Sequence, residues 1–235
     1  MTKLSATLVA YTQPTIGVPC SGPESFIAYA ARVSSDRPKE EWGENYEGLL
    51  SYCMRHKHWS VFEMADAVVE IEAPRDISRQ LLRHRSFCFQ EFSQRYSDKI
   101  EFTDREMRAQ DHKNRQNSLP LDPETRERTE RMASEILSGW VAEDDHGMDW
   151  SWGGIPADYQ YFIKLGVAKE CARVILPEGL TMSKLFMKGS MRSWMTYLET
   201  RLDPTTQKEH RDLAALIKEA LLPVFPTIFS LEKDK

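Results

Sequence analysis

The stretch ADAVVEIEAPRDISRQLLRHR, residues 65–85, decides the fold class. Its first nine residues, 65–73, are rich in β-branched side chains and alternate in polarity toward their end, which predicts a strand that Pro74 stops. Residues 74–85 change period. Ile77, Leu81 and Leu82 fall on one side of a helix, while Arg75, Arg79 and Arg83 recur every four residues along another. A strand followed at once by a helix with a cationic stripe makes the class α+β, that is, mixed α and β.

Upstream, GPESFIAYAARVSS (22–35) has proline at a first-turn position and apolar Phe26, Ile27, Ala31 and Val33 near helical spacing, and NYEGLLSYCMRH (45–56) repeats the pattern. Both predict helices. In HWSVFE (58–63), Ser60 and Glu63 have the spacing of a capping box that opens a helix. Downstream, residues 101–123 lack a sustained apolar period and end in prolines, which predicts a long loop of the kind that often carries function. A charged helix is expected from Glu124 to Val141, then an irregular glycine-containing segment over 144–156 and a helix over 157–176. Residues 181–189 fit either a strand or a buried connection, and 191–202 read as an amphipathic helix. Asp203-Pro204 is expected to cap a last helix that runs to Leu222.

Composition narrows the function. With 235 residues and no linker-like stretch, a single domain over 1–235 is expected. Net charge −5 with 29% charged residues disfavours bulk nucleic-acid binding. No apolar run reaches the roughly 20 residues of a membrane span, and MTKLSATLVAYTQP lacks a signal peptide's basic start, so a cytoplasmic protein is expected. Cys20, Cys53, Cys88 and Cys171 have no CxxC spacing and read as reduced thiols.

The chemistry concentrates in RHRSFCFQEFSQRY, residues 83–96, with three arginines, a histidine, a glutamate and two serines among four aromatics. If residues 87–96 are extended, Glu91, Ser93 and Arg95 share a face. With Arg83 and Arg85 nearby, that face suits a phosphate held by forked, charge-assisted hydrogen bonds, beside rings that can cover a heterocycle. The plainer alternative is surface ion pairing with Glu70, Glu72 or Asp76, which contributes about 0–1 kcal/mol per pair. A non-catalytic nucleotide- or RNA-binding module is a second alternative. His56, His58 and His84 lack a third ligand at diagnostic spacing, so no metal is expected, and no glycine-rich phosphate loop is present. Ser93 has no evident base to make it a nucleophile.

Arg83-His84-Arg85, seven residues, and then Ser93-Gln94-Arg95-Tyr96-Ser97 resembles the signature of the flavin-dependent thymidylate synthases. HKHWSVFE (56–63), AKECARVILP (168–177), MRSWMTYLETR (191–201) and QKEH (207–210) resemble further family segments, and QDHKNRQNSL (110–119) resembles the virus-type branch. The resemblance implies a central β-sheet flanked by helices and a homotetramer with active sites at subunit interfaces. It also implies reductive methylation of dUMP to dTMP, with 5,10-methylenetetrahydrofolate as carbon donor and NADPH, through FAD, as hydride donor. For a virus-encoded member the compartment would be the host cytoplasm.

Matching positions for dUMP are Gln80, Leu81, Leu82, Arg83, Glu91, Phe92, Ser93, Gln94, Arg95, Arg173 and Arg201, with Arg201 at the uracil ring as the catalytic residue. Matching positions for FAD are Ser60, Arg83, His84, Arg85, Glu91, Ser190, Arg192 and Thr196, with His58 near flavin and folate. Family members commonly carry asparagine where this chain has Ser190 and Thr196, and histidine where it has Met64. That altered cofactor shell leaves open a flavin enzyme that delivers a different group to dUMP.

Overall fold

The computed structural model describes residues 2–114, 118–143 and 149–230. In chain order it has β1 Ser5–Tyr11, α1 Pro23–Ala31, α2 Tyr46–Arg55, β2 Asp66–Pro74, α3 Arg75–Leu81 and β3 Cys88–Glu91. There follow β4 Arg108–Gln110, β5 Ser118–Pro120, α4 Pro123–Ser138, β6 Trp140–Glu143 and β7 Asp149–Trp152. The rest is α5 Gly154–Lys164, α6 Lys169–Ala172, β8 Met182–Ser190, α7 Met191–Arg201, α8 Lys208–Leu221 and α9 Pro226–Ser230. The main sheet has strand order β1-β2-β8-β3; β4-β5 and β6-β7 form two antiparallel hairpins. An α+β class is what residues 65–85 require.

The alternation in β2 is complete: Ala67, Val69, Ile71 and Ala73 are buried, while Asp66, Val68, Glu70 and Glu72 are half-buried. β8 follows the same rule, burying Ser183, Leu185, Met187 and Gly189 and exposing Lys184, Phe186 and Lys188. Those lysines pair with β2 carboxylates, Lys184 with Glu72 at 2.8 Å and Lys188 with Asp66 at 3.0 Å. Opposite charges on facing strands help fix their register, so residues 181–189 are strand rather than connection.

The chain forms two compact units, Met1–Leu4 with Glu72–Leu81 and Glu91–Lys184, and Ser5–Ile71 with Leu82–Gln90 and Leu185–Lys235. In the first, Tyr159, Ala172 and Leu176 make a buried cluster flanked by Ile100, Phe102 and Phe162. In the second, Ile27, Leu50, Phe62, Trp194, Leu213, Ile217 and Phe225 are fully buried. There Glu24 of α1 accepts the Ile228 amide of α9 at 2.9 Å, so a carboxylate satisfies a free amide at that helix's start.

Several expectations need correction. Ser60 and Glu63 form no cap; Trp59–Met64 is a 3-10 helix whose Glu63 bonds to Ser190 Oγ at 2.9 Å and Arg192 Nη1 at 3.0 Å instead. The helix expected over 74–85 stops at Leu81, and Arg83 falls in the following turn, so only Arg75 and Arg79 share its cationic stripe. The expected loop 101–123 contains the β4-β5 hairpin, with Arg108 opposite Pro120. Residues 115–117 of that loop, and 144–148 of the segment expected to be irregular, lie outside the described residues. The last long helix begins at Lys208 behind Gln207, because the Asp203 carboxylate accepts the Thr205 amide at 2.8 Å in a separate turn.

Candidate active site

In the first unit, a cavity of about 260 Å³ is lined by Arg75, Arg79, Glu91, Phe92, Ser93, Gln94, Arg173, Met182 and Ser183. Both Glu91 oxygens are engaged, Oε2 by Arg79 Nη1 at 3.0 Å and Oε1 by Ser183 Oγ at 2.9 Å. Arg79 also reaches Glu178 at 3.2 Å, so its charge is matched by carboxylates. Arg75 donates to the side chain of buried Gln94, and Arg173 donates through Nε to the Glu170 carbonyl at 3.3 Å. Among the described residues neither has a carboxylate partner. Burial, and next the charge of Arg79, hold the Arg75 pKa below its ordinary value. Cations that disfavour one another in a partly desolvated pocket are relieved by an anion.

The expected face of Glu91, Ser93 and Arg95 is broken, since extension ends at Glu91. Ser93 Oγ accepts the Arg95 amide at 3.3 Å and its carbonyl accepts the Tyr96 amide at 3.1 Å, which turns the chain. That turn buries Gln94 in the cavity wall and sends Arg95 outward, where it pairs with Glu170 at 3.4 Å. The cavity thus gathers Glu91, Phe92, Ser93, Gln94 and Arg173 of the expected substrate set. Leu81 is fully buried, and Gln80 is half-buried with partners of its own. Arg75, Arg79, Met182 and Ser183 were not among the expected site residues, though the arginine stripe of α3 marked the first two.

The second unit holds Leu82, Arg83, His84, Arg85, His58, Ser60, Ser190, Arg192, Thr196 and Arg201. Arg201, at the end of α7, donates its Nε–H to His84 Nε2 at 3.1 Å. His84 meets Tyr197 edge-on, with ring centroids 5.1 Å apart, and Tyr197 lies 5.8 Å from buried His210. The Tyr197 hydroxyl is buried and has no hydrogen-bond partner among the described residues. Gly189 lets Phe87 approach, because a Cβ there would sit 2.5 Å from the ring; Phe87 in turn packs 4.7 Å from Trp194. This packing fixes the segment that carries His84.

Burial pushes the His210 pKa down to about 3, with Arg201 and His84 adding to the effect. Below pH ~6.5 the unfolded chain therefore binds a proton that the folded chain refuses, and stability falls progressively toward pH ~3. The penalty is on the order of a few kcal/mol. Urea midpoints of His210→Leu should fall less steeply than wild type between about pH 7 and pH 4. Parallel slopes would mean that His210 titrates normally.

An FAD diphosphate needs free cations. Arg83 and Arg85 are exposed and have no carboxylate partner among the described residues, so they fit that demand. Arg192 is paired with Glu63 at 3.0 Å. Ser190 Oγ is already held by Glu63 and by the Ser193 amide at 3.3 Å, while Thr196 Oγ1 bonds back to the Arg192 carbonyl at 3.1 Å. Ser60 is exposed, and His58 packs 5.8 Å from the Tyr52 ring. The arginines fit a flavin dinucleotide; the two hydroxyls are committed to the helix.

Solved structures share the fold. A UMP/dUMP methylase, PolB, from Streptomyces cacaoi bound with 5-Br dUMP superposes with TM-score 0.73 at 22% identity, covering 98% of this chain and 94% of that one. The same methylase bound with 5-Br UMP gives 0.75 at 23% identity, with the same coverage. Residues 7–227 match the family described as thymidylate synthase complementing protein. The flavin-dependent thymidylate synthase of Synechocystis sp. is 45% identical over 94% of this chain and 95% of its own length. A probable flavin-dependent thymidylate synthase of Paramecium bursaria Chlorella virus 1 is 42% identical over 96% and 97%, which meets the expected likeness to viral members. The chain belongs to the flavin-dependent thymidylate synthase family.

Proposed function

We propose that this chain reductively methylates dUMP to dTMP, with 5,10-methylenetetrahydrofolate as carbon donor and NADPH, through FAD, as hydride source. The observation that carries the reading is the pair Arg75 and Arg173, two cations in one cavity that form no direct ion pair with a carboxylate among the described residues. Together they match the dianionic phosphate of a mononucleotide, and Phe92 and Met182 offer apolar surface beside it. At about 260 Å³, near the low end of the roughly 300–1,000 Å³ usual for small-molecule pockets, the cavity suits a mononucleotide better than a dinucleotide.

Arg83 and Arg85 would hold the FAD diphosphate, with His84 between them and His58 toward the folate. FAD, when bound, supplies the redox chemistry between NADPH and the one-carbon unit. Arg201 keeps its terminal amino groups for negative charge that develops on the pyrimidine. No enzyme nucleophile is needed. Ser93's hydroxyl closes its own turn, and burial raises the Cys20 pKa, which makes it a poor thiolate at neutral pH. The reading places the reaction in a cytoplasmic homotetramer with active sites where subunits meet. Exposed Tyr96 and Val174, next to Arg95 and Arg173, give a partner subunit apolar surface to cover. No helix among the described residues is long and apolar enough to cross a membrane.

Titration calorimetry tests the phosphate site. Arg173→Ala should weaken dUMP binding about 10–100-fold, the loss of a charge-assisted contact of roughly 1.5–3 kcal/mol, and leave the weaker binding of deoxyuridine unchanged. Equal losses for both ligands would place Arg173 away from the phosphate.

A further inference from the structure

We infer that His84 is a positioning residue: its Nε2 accepts the Nε–H of Arg201 and so aims that arginine's two terminal amino groups at the ligand. The inference rests on the role given to Arg201 above. Arginine has a long flexible stem, and holding it still costs rotamer entropy unless a fixed acceptor takes one edge of the guanidinium. His84 is such an acceptor. Its Nε2 lies 3.1 Å from Arg201 Nε, and its ring is boxed by Phe87 at 6.4 Å, Tyr197 at 5.1 Å and His210 at 6.4 Å, all close to edge-on. Among the described residues, nothing accepts from the terminal amino groups of Arg201. A bond on the Nε edge therefore leaves the forked end of the guanidinium available, the end that matches a ring carbonyl or a developing oxyanion.

The geometry also dictates a tautomer. An Nε2 that accepts a bond has no proton, so neutral His84 carries its hydrogen on Nδ1. Burial, followed by the positive charge of Arg201, holds the His84 pKa below its ordinary value. The groups that face it do not favour an imidazolium. From α7 come Arg201 and Tyr197, whose hydroxyl burial keeps protonated; from α8 comes His210, itself kept neutral; its own segment contributes Phe87. Among the described residues no carboxylate pairs with it. Protonating His84 would remove the acceptor and set an N–H against a guanidinium, releasing Arg201 from its aim. The proposed reaction thereby gains an acidic limit at a residue that touches neither the pyrimidine nor the carbon donor.

The test joins a spectroscopic reading to kinetics. Histidine-selective 15N NMR of the wild-type holoenzyme at neutral pH should show His84 with Nδ1 protonated and Nε2 bare, and Arg201→Ala should erase that preference. His84→Phe should lower kcat per bound flavin about 100-fold, whatever flavin it retains, while KM for dUMP changes less than about threefold. His84→Gln places an amide oxygen where Nε2 was, so it should recover all but about tenfold of that loss and lack the acidic limb of the pH profile. A proton on Nε2 in wild type, an unaltered acidic limb in His84→Gln, or flavin loss with unchanged kcat per bound flavin in His84→Phe would each overturn the assignment. The tautomer is read without substrate and on wild type. It therefore decides the contact even where a variant misfolds or the reaction proves to be a different one.

Discussion

Arg201→Ala is expected to lose about a thousandfold in turnover while it keeps its fold and binds dUMP within about tenfold of wild type. The expectation follows from what the side chain touches. Its one described hydrogen bond is to His84, it is half-buried at the last residue of α7, and its terminal amino groups have no protein acceptor among the described residues. Removing it takes away little packing and about 0.3–1 kcal/mol of helix-end electrostatics, too little to unfold a domain of this size. A fixed cation that faces charge present only in the transition state affects kcat rather than ground-state binding. Stopped-flow dTMP formation, with circular dichroism to verify folding, checks both halves. A variant that keeps wild-type kcat would remove Arg201 from the chemistry.

Trp194→Ala should lower stability by about 4 kcal/mol and the melting temperature by about 10 °C. The indole is fully buried in α7, donates Nε1–H to the Ala67 carbonyl at 3.3 Å, and packs against Phe87 at 4.7 Å and Tyr197 at 6.0 Å. Those two rings are among the three that box His84. Truncation leaves a cavity where β2, α7 and the signature segment meet, and it removes the indole's hydrogen bond to the Ala67 carbonyl. Calorimetry that finds a shift under about 2 °C would mean that the site collapses around the gap, contrary to the tight ring packing described.

How far the sequence could be read depended on the range of the interactions. β2 and α7 were legible because one periodic face meets the core along their whole length, and the helix of residues 45–56 for the same reason. The β4 and β5 strands, three residues each, are too short to show any period, so their hairpin looked like loop. Glu63 illustrates a second limit. Its spacing from Ser60 suits a local cap, but the stronger partner is Ser190, 127 positions away, which no local rule can weigh. Ser93 illustrates a third, since alternation assumed extension through Tyr96 and a serine turn reversed which of Gln94 and Arg95 faces the cavity. The arginine stripe on α3 was visible, yet its use was not, because α3 ends before Arg83 and only Arg75 and Arg79 reach the pocket. The burial of His210 gave no signal: although QKEH resembles a family segment, one histidine on an amphipathic helix looks the same whether it is buried beside Tyr197 or exposed.

The measurement that bears most directly on the central claim is a single turnover of flavin-loaded enzyme. After anaerobic bleaching by NADPH and mixing with dUMP and 5,10-methylenetetrahydrofolate, flavin colour should return in step with one dTMP per active site, identified by mass. Colour that returns while dUMP is recovered unchanged, or a product carrying any group other than a methyl, would contradict the account.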